Sequence, residues 1–290
     1  MLTPSDKEFI ALNAYVPEQL THYQIAFSDM EPGLIGQYLY YYTDEVVSFI
    51  GYPLQGEYEE DDFQKAIDQV TRQHRPQELR VISDKVHHIP GYEIIFQQEE
   101  DRYSVLDIDS IVIKSKLRNM LNRAGRELSI SITREYTPEH HVLLVDFINN
   151  KKFDRENINF FSRIPDYISY SENPLIIEAR FGNGKLQGFT IVDFSRGAYC
   201  FYMFNITGDK NNYVPGAADL LLYHLIELAK SKGMSKINLG LGINTGIERF
   251  KRKWGQGKDL PFFFCRYKRK KSSFWIWKRY CFKGTALDNE

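Results

Sequence analysis

No apolar run in the chain approaches the about 18 residues that a bilayer-spanning helix requires, so no transmembrane segment is expected. The N-terminal M-L-T-P-S-D-K-E-F lacks the basic and apolar regions of a secretory signal. Cysteine is scarce. Cys200, Cys265 and Cys281 form no C-x-x-C pair and leave one over, which fits reduced thiols in a cytoplasmic protein. There is no G-x-S-x-G elbow, Walker A loop or Rossmann fingerprint, which disfavours hydrolase, NTPase and dehydrogenase readings. The pairs His87-His88 and His140-His141 lie in no H-E-x-x-H spacing. Adjacent residues also point apart on a helix or strand, so no metal site is expected.

What is present is a globular composition, 43% apolar and 14% aromatic, in 290 residues. That length allows one large domain or two modest ones, each with its own core. The net charge of -1 hides a polarity. Residues 1–112 hold 7 Lys and Arg against 21 Asp and Glu, whereas 246–290 hold 13 against 4. Either an anionic partner meets the C-terminal part, or the two ends attract each other across an interface.

Residues 1–35 read as a short helical or irregular lead-in punctuated by Pro4, Pro17 and Pro32. The β-rich runs 38–43 and 46–52 form a hairpin, followed by a helix over 61–72 and strands at 79–83 and 92–96. The pattern restarts near 100–113. A basic helix spans 114–126, a strand 128–133, a helix 137–149 and another 155–169. Strands at 175–181, 186–194 and 198–206 make a meander whose Asn183-Gly184 turn is a strong hairpin signal. A helix at 215–232, a strand at 237–241, a helix at 245–254 and a closing hairpin of 260–268 with 274–282 complete the chain.

The segment 202–255 is the one that argues for chemistry. A strand leads into a small-residue turn and a helix, whose unpaired first amides attract negative charge. Gly216, Ala217 and Ala218 leave those amides unshielded, and Asn211, Asn212, Tyr213 and Val214 stand beside them. Together they form a candidate cradle for a donor phosphate; small residues needed for helix packing are the plainer explanation. On a helical 250–255, Lys251 and Trp254 share a face, and Arg249 and Lys253 lie four apart. The plainer explanation there is a solvated basic face. Acid or base candidates are Asp193, Glu178 and Tyr202, with Asn205 and Asn238 as substrate contacts on the central strands.

This order of elements resembles a GNAT acyltransferase domain. The stretches R-N-M-L-N-R-A-G (118–125), G-M-S-K-I-N-L-G (233–240) and F-K-R-K-W-G (250–255) are similar to the C-terminal synthase domain of phosphatidylglycerol lysyltransferases and to Fem-type aminoacyltransferases. The resemblance implies an α+β fold of two tandem GNAT-like halves with mostly antiparallel sheets. A degenerate half would occupy 1–110 and an acyltransferase half 111–290. It also implies transfer of an acyl or aminoacyl group from acyl-CoA or aminoacyl-tRNA to an amine or hydroxyl, with Lys251 at the cleft. Tyr213 stands where a GNAT pyrophosphate loop has Gln or Arg, so the donor stays open. The sequence has no counterpart of a lysyltransferase's membrane-spanning half, so the acceptor stays open between a small molecule and a lipid. The basic, aromatic tail 266–280 would contact anionic membrane or tRNA if it is not simply a packed hairpin. The alternative function is a non-catalytic GNAT-like module that binds an anionic ligand or lipid headgroup.

Overall fold

A computed structural model describes residues 2–151, 153–208, 213–255 and 257–270. Its strands form one twelve-stranded sheet flanked by helices, the expected α+β arrangement. The first half contains β1 (Glu31–Ile35), β2 (Tyr38–Tyr42) and β3 (Val46–Ile50), then α3 (Glu60–His74) and β4 (Glu78–Ser83). The second repeats that succession with β8 (Leu175–Phe181), β9 (Leu186–Phe194) and β10 (Tyr199–Thr207), then α8 (Ala217–Ser231) and β11 (Lys236–Leu241). In both, an antiparallel meander leads through a helix to a parallel neighbour: β3 with β4, and β10 with β11.

In the middle of the sheet, strands far apart in the chain lie side by side. β5 (Tyr92–Gln97) is followed by β6 (Asp101–Asp107), which pairs with β11 of the second half. β12 (Leu260–Arg269) pairs with β4 and β5 of the first half, touching β6 only at its start. The first strand of the expected closing hairpin is inserted in the middle of the sheet, and the second, 274–282, lies outside the described residues. Between β6 and β7 (Leu128–Thr133) lies the basic helix α4 (Ser115–Glu127). The helix expected over 155–169 is two, α6 (Arg155–Ser162) and α7 (Ile164–Tyr170), because Pro165 has no amide to continue the first.

The lead-in, expected as helical or irregular, is built on two helices, α1 (Pro4–Asn13) and α2 (Thr21–Ser28). Thr3 caps α1 with a full capping box. This segment spans both halves on one face of the sheet. Leu2, Ile10, Val16 and Met30 pack against β2, β3 and Tyr103 of β6, while Ala14 and Leu20 cover Phe201. Ala26 joins α5 (Pro138–Lys151) and α7 over β8 to β10. On the other face α4 and α8 bury Leu117, Leu121, Leu221 and Leu225 with Trp254. None of the described helices is long and apolar enough to cross a membrane.

Candidate functional site

The parallel pair β10–β11 holds for only three residue pairs, Tyr199–Lys236, Cys200–Ile237 and Phe201–Asn238. Beyond them the strands part, and the cause lies in two side chains. Asn238 is fully buried; its Oδ1 accepts the Gly240 amide at 2.8 Å and its Nδ2 donates to the Tyr15 carbonyl at 2.8 Å. Lys251 Nζ donates to the carbonyls of Gly240 at 2.7 Å and Leu241 at 2.5 Å. Both backbone groups of Gly240 are thus satisfied within β11's own side, and its φ of +75° suits glycine. On β10 the register with β9 slips at Met203. Beyond Phe201–Asn238 the two strands share no further register pairs, a gap in the ladder.

Lys251 lies on α9 (Thr245–Arg252), whose start Asn244 caps by accepting the amides of Gly246 and Ile247. Burial lowers its ammonium to about 8, against the opposing charges of Asp101, Asp259 and Glu248. Asp101 also receives the amides of Gly242 and Ile243, fixing the turn that leads into α9. A cavity of about 290 Å³ adjoins Lys251, lined by Arg102, Gly242, Glu248 and Asp259 among others.

On the α8 face of the gap the structure brings several expected residues together. Tyr202 stacks on Phe250 at 6.3 Å, Lys253 Nζ lies 5.0 Å from the Phe250 ring, and Lys253 clasps Asp219 through both carboxylate oxygens at 2.7 Å. Burial first, and the charge of Asp219 in addition, push the Tyr202 phenol well above its ordinary value. Asn205 Oδ1 and Trp254 Nε1 are buried without a hydrogen-bond partner among the described residues, and the buried Tyr202 hydroxyl lies beside Thr190. Unpaired buried polar atoms are costly. Arg249 is exposed on the outer side of α9.

The start of α8 divides the expected cradle. Gly216 has φ +92°, and a Cβ there would lie 2.7 Å from the Met120 side chain of α4. Val214 and Ala217 are core residues. Helix packing therefore explains these three small or apolar residues. Ala218 is partly exposed and Tyr213 exposed, while Asn211 and Asn212 lie outside the described residues. Among the described residues no acceptor pairs with the amides of Ala218 and Asp219.

Asp193 and Glu178 lie on the opposite face of the sheet. Asp193 is fully buried and accepts from His22 Nε2 at 2.5 Å and Tyr167 OH at 2.5 Å. Glu178 is held by Ser131 and Arg180, with His140 Nε2 at 3.0 Å. Arg180 and Ser131 hold the Glu178 carboxyl below its ordinary value despite burial, and burial lowers the His140 imidazole. Sequence reasoning missed His22, because its partner is 171 positions away and no local pattern links them.

No protein-family model matches this sequence, and no curated protein sequence is similar to it. Solved structures do share the fold. L-PGS from Bacillus licheniformis superposes with a TM-score of 0.57 at 15% identity, over 88% of this chain and 89% of that one. A conserved protein of unknown function from Bacteroides thetaiotaomicron gives 0.63 at 12%, over 91% and 97%. A tandem GNAT protein from the clavulanic acid biosynthesis pathway gives 0.51 at 13%, over 81% and 79%. The expected resemblance to lysyltransferase synthase domains and tandem GNAT proteins thus holds as a likeness of fold.

Proposed function

We propose that this protein is an acyl- or aminoacyltransferase working through the gap between β10 and β11. The parting of that parallel pair beside an unpaired helix start is the observation that carries the reading. The donor's phosphate lies at the amides of Ala218 and Asp219, flanked by Lys253 and Tyr213. Arg249 meets more distant donor charge. The acyl group enters the gap, where the parted strands polarise its carbonyl. Asn205 and Trp254 line this side. Tyr202 stays protonated because it is buried, and gives its proton to the departing sulfur or oxygen. Asn238 and Lys251 keep the strands apart.

The acceptor amine or hydroxyl arrives from the opposite face, near Asp193 and His22. A lipid or a small molecule fits that chemistry equally, as do acyl-CoA and aminoacyl-tRNA on the donor side. The two halves are read as a duplication with crossed strands, divided near residue 110.

Thermal shift with acetyl-CoA, a long-chain acyl-CoA and lysyl-tRNA tests the donor. One of them should raise the melting midpoint by several degrees at saturating concentration. Labelled transfer from that donor to amines, glycerol and phosphatidylglycerol vesicles then tests the reaction. No stabilisation by any of the three would overturn the reading. A donor bound but never consumed would favour the non-catalytic binding module, to which Asp219, already lying at the helix start, lends some support.

A further inference from the structure

The N-terminal segment contributes a carboxylate on the acceptor side of the gap. Residues 17–19 form a single 3₁₀ turn between α1 and α2, held from both sides. The buried side chain of Gln19 accepts the amides of Tyr15 and Val16 and donates to the Tyr52 carbonyl at 3.0 Å. The Tyr41 hydroxyl donates to the Glu18 carbonyl at 2.9 Å. The turn is rigid, and it aims Glu18 at the sheet. Glu18 Oε2 accepts from Tyr103 OH at 2.6 Å.

Tyr103 fixes where that carboxylate lies. It sits on β6 opposite Leu241, the residue whose carbonyl Lys251 grips at the parted end of β11. On the β10 side, Tyr23 and Met203, the latter at the register slip, both pack against the cluster of Ala14, Leu20 and Phe201. Tyr15 crosses over Asn238, at the apex where the strands still pair. The segment therefore runs across the parallel pair from apex to opening, and Glu18 comes after Tyr15 in that direction. The groups around it are phenols: Tyr103 from β6, Tyr41 from β2, Tyr52 beyond β3 and Tyr23 from α2, all of which sense its charge. No cation pairs with it among the described residues. Glu18 is half-buried, so it can still exchange a proton with solvent, and a carboxylate among phenols without a paired cation suits proton transfer.

We infer that Glu18 is the general base for the acceptor, an assignment that rests on the transferase reading above. The acceptor enters as a free amine or a hydroxyl. The Glu18 carboxylate takes the proton from its nitrogen or oxygen as the lone pair forms the bond to the donor's carbonyl carbon. The carbonyl carbon's bond to the donor's sulfur or oxygen then breaks. That atom leaves with the electron pair and receives the Tyr202 proton; Glu18 afterwards releases its proton to water, and water restores that of Tyr202. Burial raises the Glu18 carboxyl above its ordinary value, closer to the pH at which a base is effective. Tyr103 is a positioning residue: its hydrogen bond favours the charged form and orients it.

The test uses the full chain, with acetyl-CoA and lysyl-tRNA as donors and spermidine and glycerol as amine and hydroxyl probes. Glu18→Gln should lower kcat by about a hundredfold or more while donor-induced stabilisation stays unchanged. The amide oxygen still accepts from Tyr103, so the melting midpoint should hold. Tyr103→Phe should retain transfer but move the acid limb of the kcat/KM profile to higher pH, which a merely structural tyrosine would not do. Native transfer with Glu18→Gln equally active and its acid limb intact would overturn the base alone. A native chain that transfers to neither probe from either donor would overturn both the reaction and the base.

Discussion

The two parallel strand pairs of this molecule were built to one plan and finished differently. In the first half β3 and β4 stay paired from Val46–Glu78 to Ile50–Ile82, and the Gly51 amide then extends the ladder to the Ile82 carbonyl. In the second half β10 and β11 part after Phe201–Asn238. The helix starts differ as well. Glu60, Asp61 and Asp62 crowd the first turn of α3, which repels any anion, whereas α8 opens with two alanines and one carboxylate already paired to Lys253. The same topology thus stays paired along one parallel pair and parts early in the other. What separates them is where a few backbone hydrogen bonds go.

The largest way to break the comparison is to overfill the closed pair. A Cβ at Gly51 would come 2.7 Å from the Ser83 Cβ and 3.0 Å from the Phe63 ring. Gly51→Val should therefore cost about 2–3 kcal/mol in chemical denaturation and leave donor binding intact. In the open pair the reverse is expected. Ala218→Glu adds a carboxylate where a helix tolerates one, so the fold should hold while affinity for the stabilising donor drops about tenfold or more by calorimetry.

A third test concerns Lys251. Its lowered folded value means the unfolded chain binds more protons between pH 8 and 10.5, so stability rises with pH in that window. From pH 8 to about 9.5 the native chain should gain about 1–2 kcal/mol from this group, and Lys251→Met should lose that gain. The smallest effect belongs to Glu78, which joins β4 to β12 through Arg266. Arg266 first, and Arg80 next, hold its carboxyl down to about 2 from 4.5. Its contribution is present above pH 4.5 and is lost as pH falls toward 2. Because the pair is partly in solvent, Glu78→Gln should flatten acid unfolding by less than about 1 kcal/mol.

Much of this was legible in the sequence because most elements are locally determined. The Asn183-Gly184 hairpin, the meander and the amphipathic α3 each follow from short-range pattern. The strand at 101–107 was not, since Asp101, Arg102, Ser104 and Asp107 break its apolar pattern and its partners lie far along the chain. The destination of β12 was hidden for the same reason. Around the gap, sequence reasoning found Tyr202, Asn205, Asn238, Lys251 and Trp254, all within the segment with strong local signals. It passed over Glu18 and His22 because the lead-in shows a weak periodicity and its contacts are all distant. The neighbourhood of Gly216 was legible as small residues, but the reason, Met120 of α4, needed three dimensions.

The crossing of β6 and β12 has a further bearing on how the molecule holds together. β6 pairs with β11 and β12 with β4, so strands far apart in the chain are crossed in the middle of the sheet. A protease cutting the connector after Ser110 would leave two fragments clasped by those crossed strands. Neither piece alone would have a complete sheet to fold around, and their reassembly from separate polypeptides would measure how strongly the clasp binds.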